Sequence, residues 1–154
     1  MRGIASRLGV SATALYQHFD SKASILREIR MHGLRELSAR LLEAFGGDDS
    51  RQTIVEVSRR YLQYARDNPW LYEVLMQTDT RVEQDMTEDQ LAATRALTDT
   101  LRDTVARTMT PVANAPDETT LVRFMARWWA SLHGIASLIL SRRIAENHPI
   151  LPVD

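Results

Sequence analysis

The sequence predicts an all-α protein, and three observations carry that expectation. Only six glycines stand in 154 residues, and no segment alternates apolar with polar side chains as a half-buried strand would. Apolar residues instead recur every three or four positions, the repeat of one helix face. Helix-start residues (Ser, Asp, Asn, Thr) precede those stretches, and Gly or Pro follows several of them.

Taken in order, the first helix spans Ile4–Leu8 and is cut by Gly9. A second begins after Ser11, whose hydroxyl can accept an orphan backbone N–H, and runs to about His18. Asp20-Ser21 caps a long helix with Leu26, Ile29, Leu34, Leu37, Leu41 and Phe45 on one stripe, ending at Gly46-Gly47. "GDDS" opens the next, through Ile54, Val57, Tyr61 and Tyr64 to Asp67. Asn68 caps a short helix with Pro69 in its first turn, where the missing N–H is harmless; it carries Leu71, Val74, Leu75 and Met76. Thr87 to Gln90, "TEDQ", reads as a capping box ahead of Leu91, Leu97, Leu101, Val105 and Met109, and Pro111 ends that helix. After the loop "NAPDE", Asp117 caps a last helix expected to reach about Asn147, before Pro149 and Pro152.

Composition narrows the function classes. Hydrophobic content of 44% and charged content of 25% are ordinary for a globular chain. The absence of cysteine excludes disulfides and cysteine-based metal sites or nucleophiles. No apolar run approaches the roughly 18 residues of a membrane span, and MRGIASRLGV lacks the apolar core of a secretory signal, so the cytoplasm is the expected location. No metal-ligand spacing, phosphate loop or Ser/His/acid set stands out; Ser131, Ser137 and His133 share one helix without a placed carboxylate. Neither enzyme activity nor a cofactor is expected. Net charge is −1, but residues 1–45 hold seven basic against four acidic groups and the remainder 12 against 16. A positive head on an acidic body suits an anionic partner at the head.

Residues 4–19 fit a helix-turn-helix. Ala5 allows a close crossing, Gly9 provides a tight turn, and Ile4, Leu8, Val10, Leu15 and Phe19 form the apolar inside. Ala12, Thr13, Tyr16 and Gln17 then face outward, and the small, uncharged start of the second helix can approach a groove floor. Tyr16, His18 and Lys22, the only lysine of the chain, can each donate to a phosphate oxygen. A Gly-separated pair of short helices is, on pattern alone, more often ordinary packing than DNA binding.

The stretch "IASRLGVSATALYQHFDSKASIL" resembles the helix-turn-helix of the tetracycline-repressor (TetR) family of bacterial regulators. The resemblance rests on Ile4-Ala5, Gly9-Val10-Ser11, Leu15-Tyr16-Gln17-His18-Phe19 and Lys22. It implies that Ala12, Thr13, Ala14 and Gln17 face bases while Ser11, Tyr16, His18 and Lys22 hold phosphate. Ala14 stands where the family often has Ser or Thr, so its contact would be apolar, for example to a thymine methyl. Family members carry a further helix ahead of the Ile-Ala pair. Only Met1-Arg2-Gly3 stand there, which leads us to expect a DNA-binding head lacking its first helix and a sequence that is part of a longer product.

The body carries aromatic residues on three helices: Tyr61, Tyr64, Trp70, Tyr72, Phe124, Trp128 and Trp129. They either fill a core or enclose a small molecule. His133 lies four residues after Trp129 on the same face, either satisfied in a core or touching a ligand. Trp129-x-x-x-His133-Gly134 and "NPWLYEVLM" resemble the Trp-His-Gly type of TetR C-terminal domain. The expected ligand contacts are Tyr61, Tyr64, Trp70, Leu75, Phe124, Trp128, Trp129 and His133. The last two helices of the family form a four-helix dimer interface, which implicates Leu97, Leu101, Val105, Ile135, Leu138 and Ile139. The expected organisation is residues 1–45 for DNA binding with the connecting helix, and 46–154 for ligand binding and dimerisation. The expected function is a homodimeric repressor on a palindromic double-stranded operator, released by an apolar or aromatic effector. The alternative is a helical small-molecule-binding protein that, in this truncated form, does not bind DNA.

Overall fold

In the computed structural model, which describes residues 5–7, 9, 11–76, 86–109 and 116–144 (the side chains of Ala12, Leu15 and Gln90 apart), every regular element is an α-helix. Residues 5–7 belong to α1. There follow α2 (Ala12–His18), α3 (Lys22–Leu42), α4 (Ser50–Asp67), α5 (Pro69–Met76), α6 (Glu88–Met109) and α7 (Glu118–Leu140).

Helix starts follow local chemistry. The Ser11 hydroxyl accepts the Ala14 N–H at 3.0 Å. Ser21 and Ser24 exchange two backbone-to-hydroxyl bonds of 3.1 Å, a reciprocal box at the start of α3. The Asp49 carboxylate accepts from the N–H groups of Arg51 and Gln52. Asp117 accepts the Thr120 N–H at 2.7 Å, a bond that holds its carboxyl below the usual carboxylate range. Asn68 serves both neighbours: its side-chain amide donates to the Tyr64 carbonyl at the end of α4, and its own carbonyl accepts the Tyr72 N–H, the first bond of α5. The Gln90 half of the expected box lies outside the described residues.

Helix ends follow the sequence less closely. α3 stops at Leu42; Ala44 and Phe45 donate to Leu41 and Leu42 in tight turns, and Phe45 packs on the core from beyond the helix. α7 ends at Leu140, seven residues before the expected Asn147. There Arg142 takes a left-handed φ of 56°, its N–H donates to Ile139, and the Arg143 N–H donates to Leu138. That pair of bonds is the Schellman pattern, usually built on glycine. Folding Ile144 back into the protein, where it is buried, stabilises the turn despite the strain of a non-glycine residue. Arg142→Gly is therefore expected to raise stability by about 0.5–1 kcal/mol, read as a higher Tm with an unchanged circular-dichroism spectrum.

One core joins α3 to α7. Its buried members include Leu37 and Leu41 (α3), Val57, Tyr61, Tyr64 and Ala65 (α4), Tyr72 (α5), Leu97 (α6), and Leu132 and Ala136 (α7). α3 packs against α4, α5 and α6, so it buries Met31 and Gly33 as well as the Leu37–Leu41 stripe. Gly33 is the tightest point. A Cβ there would lie 2.9 Å from Leu71 Cδ1 and 3.2 Å from the Tyr64 hydroxyl. Ion pairs of Arg40 with Asp67 and of Arg60 with Glu43 run along the α3/α4 seam; being exposed, they align the helices more than they stabilise them.

Candidate functional site

The N-terminal pair is built as its residues require. Gly9 takes φ 68°, the left-handed turn a side chain would resist, and Ala5 is buried at the crossing. Ile4, Leu8 and Val10, and the side chain of Leu15, lie outside the described residues. Phe19 is half-buried. Thr13, Tyr16 and Gln17, spaced to share one face of α2, are all exposed, Tyr16 by 54%. Ser11, His18 and Lys22 are exposed beside them, whereas Ala14 is half-buried. The Ser11 hydroxyl, accepting at the cap, keeps its proton free to donate outward. The side chain of Ala12 is not among those described. The pair thus presents hydroxyl, amide, imidazole and ammonium groups to solvent around one short, capped helix.

In the body, the aromatic residues do not converge on one cavity. Tyr64 is fully buried, 0% exposed, with its hydroxyl donating to the Gly33 carbonyl at 3.1 Å and the Arg40 guanidinium 5.3 Å from its ring centroid. Burial foremost, then the Glu36 charge, pushes its pKa up to about 12. Trp128 Nε1 donates to the Ser58 hydroxyl at 3.0 Å, which donates on to the Ile54 carbonyl. Leu75 packs half-buried on the core. Phe124 is exposed.

A polar chain crosses the core at Tyr61, Tyr72 and His133. The two hydroxyls are 3.0 Å apart, and Tyr72 Oη is 2.7 Å from His133 Nδ1. Burial raises the pKa of both tyrosines, so both remain proton donors at neutral pH. Tyr61 is buried and, among the described residues, its hydroxyl bonds only Tyr72. If the chain ran from His133 inward, the Tyr61 proton would be stranded, at a cost of about 1–3 kcal/mol. Running outward, Tyr61 donates to Tyr72 and Tyr72 to Nδ1, and both hydroxyl protons are bonded. The network therefore assigns His133 the tautomer with its hydrogen on Nε2. The Trp129 ring stacks nearly parallel to the imidazole, centroids 5.5 Å apart and planes 5° from parallel.

Several cavities lined by described residues surround this framework. One, about 590 Å³, lies between the head and α5, lined by Phe19, Ile25, Glu28, Ile29, His32, Asn68, Pro69, Trp70 and Leu71. A second, about 310 Å³, is lined by Tyr72, Glu73, Met76, His133, Ser137, Leu140 and Ser141. A third, about 350 Å³, separates α3 from α6 around Met31, Leu34, Leu42 and Ala93. A fourth, about 470 Å³, is a groove between α6 and α7 bearing Leu101, Arg102, Val122, Met125, Ala126, Trp128 and Trp129. Trp70 and His133 thus open on separate cavities on either side of α5. Glu73, Arg30 and Gly33 were not legible as site residues. The Arg30 guanidinium donates to the Val74 carbonyl near the end of α5 at 3.1 Å, a contact between positions 44 apart that no local pattern announces.

The apolar residues of the last two helices also divide. Leu97 (8% exposed) and Val105 (0%) are closed inside their own chain, so they have no surface to offer a second subunit. Leu101, Ile135 and Ile139 are half-buried and Leu138 is partly exposed. The exposed apolar stripe of α7 is instead Val122, Ala126 and Trp129, at the spacing of one face, with Trp129 53% exposed.

Among the described residues no helix is long and apolar enough to cross a membrane, and no group of three or more His, Cys, Asp or Glu side chains is placed to hold a metal ion. Residues 54–150 match the family model described as tetracyclin repressor-like, C-terminal domain, and residues 1–29 match that of bacterial regulatory proteins, tetR family. No curated protein matches the chain.

Proposed function

The chain belongs to the TetR family of bacterial regulatory proteins, DNA-binding regulators of transcription, and from that premise we propose that it is a cytoplasmic homodimeric repressor that releases a palindromic operator when a small apolar or aromatic effector binds. The observation that carries the DNA half is the exposed donor face of α2. Thr13 and Gln17, with Ala12 and Ala14 at the same end, read base edges in the major groove. Ser11, Tyr16, His18 and Lys22 hold the backbone, Lys22 beside the free N–H groups at the start of α3.

The test is fluorescence anisotropy on palindromes flanking the gene. Lys22→Ala is expected to weaken all duplexes alike and lower the salt slope by about one. Thr13→Ala is expected to shift sequence preference, with about 1–3 kcal/mol lost at one base pair. The reverse pattern would overturn the contact assignment, and no duplex binding at all would favour a ligand-binding protein without DNA function.

Dimerisation is assigned to the α6/α7 groove. Its apolar floor, with Trp129 at the edge, fits a second copy around a two-fold axis. Trp129→Glu is expected to cost about 2 kcal/mol or more of association, seen as monomer in sedimentation at concentrations where the native chain is a dimer. An undiminished dimer would move the interface elsewhere.

Release is assigned to α5. It meets α3 through Leu71 at Gly33 and through the Arg30–Val74 bond, and it meets α4 and α7 through Tyr72. A molecule lodged beside α5 shifts α3, and with it the spacing of the two reading helices. The shift is limited by the difference in effector affinity for the two spacings.

A further inference from the structure

We propose that the cavity between α5 and α7 is the effector subsite for a neutral hydrogen-bond-accepting group, such as the carbonyl of a small aromatic ketone, ester or amide. The inference rests on the ligand-responsive reading above and specifies its ligand. Three observations carry it.

The first is size. At about 310 Å³, the cavity is at the small end of the roughly 300–1,000 Å³ of ligand pockets, room for one substituted ring. Met76 and Leu140 supply apolar wall and the Tyr72 and His133 rings supply flat surface. The second is the donor. With Nδ1 engaged by Tyr72, His133 has only Nε2–H to offer, and among the described residues that atom has no protein partner. The imidazole is held on one side by Trp129 and through Tyr72 by Tyr61, so the donor is fixed in direction before a ligand arrives. An acceptor is rewarded there and a ring without one leaves the donor unpaired. The third is charge. Among the described residues, the lining contains the Glu73 carboxylate and no Lys or Arg, so a carboxylate ligand meets repulsion from Glu73.

The experiment uses three probes of similar shape: acetophenone (neutral acceptor), ethylbenzene (no acceptor) and benzoate (anionic acceptor). Dissociation constants are measured by calorimetry on the full chain, and operator affinity on the same samples. Acetophenone is expected to bind at least ten-fold more tightly than either of the others. His133→Phe, which keeps a ring between Trp129 and Tyr72, is expected to erase the preference over ethylbenzene. Glu73→Gln, on an exposed position, is expected to tighten benzoate about ten-fold and leave acetophenone unchanged. Thermal melts confirm that each variant folds. If His133→Phe does not fold, the Glu73→Gln result decides.

Equal affinity for acetophenone and ethylbenzene, no binding of acetophenone, or benzoate unmoved by Glu73→Gln would overturn the subsite. If acetophenone binds as expected but operator affinity does not change, the release mechanism fails and the subsite stands. If operator affinity is normal and no probe binds, the subsite alone fails.

Discussion

Tyr64→Ala is expected to lower the stability of the fold by about 4 kcal/mol, the largest effect of any single truncation in the core. The ring is fully buried, and removing a buried aromatic leaves a cavity whose lining loses its contacts, at about 3–5 kcal/mol. Two further losses fall at the same position: the hydrogen bond to the Gly33 carbonyl and the face that Arg40 lies over. Tyr64→Phe isolates the hydroxyl and should cost about 1 kcal/mol. Urea denaturation of the two variants measures both numbers. The hydroxyl also sets an alkaline limit. Its pKa is raised in the folded state, to about 12 from an ordinary value near 10. The stabilisation it carries is therefore complete below pH 10 and lost as the pH rises from 10 toward 12. Tyr64→Phe should flatten that decline. A loss of less than 1 kcal/mol for Tyr64→Ala would show that α3 and α4 do not close on this ring.

Gly33→Val is expected to cost about 2–3 kcal/mol and to weaken operator binding. Alanine at this position has two opposed effects. It gains about 1 kcal/mol of helix propensity, and its Cβ presses on Leu71, whose side-chain end is half-buried and can yield; the net should be within about 1 kcal/mol. Valine adds two branches at the same point. The Cβ already crowds Leu71 and the Tyr64 hydroxyl, and a stiff β-branched side chain has little rotamer freedom to relieve the contact. The overpacking separates α3 from α5 and strains the Arg30–Val74 bond, the contacts through which the body positions the reading head. Thermal denaturation gives the stability change and anisotropy the DNA affinity. Tolerance of valine within 0.5 kcal/mol would mean that the α3/α5 contact is looser than the geometry requires, and the proposed route from effector to head would fail with it.

Helix starts were legible because a cap is a bond between a side chain and a backbone N–H two or three residues on. Ser11, Ser21, Asp49 and Asp117 needed nothing beyond their own neighbourhood. The end of α7 was not legible, because a left-handed arginine is unfavourable in isolation and is held by the burial of Ile144. Leu97 and Val105 carried the right spacing for an interface. Spacing gives a face of a helix but not which neighbour covers it, and here their own chain does. The aromatic residues were legible as large rings on three helices, yet whether they line one space or several depends on how α4, α5 and α7 cross.

From residue order alone come the helical class, the helix starts, the two-helix head with its exposed donors, and the family. Each is written in contacts or motifs that span a few residues, so local chemistry determines them. Packing alone decided that Gly33 is the seat of α5, that Tyr72 directs the His133 tautomer, and that Trp129 rather than Leu97 faces outward. Those facts join positions 31 to 61 apart in sequence, or turn on which side of a helix its neighbours cover, and only the mutual exclusion of volume among five crossing helices selects them.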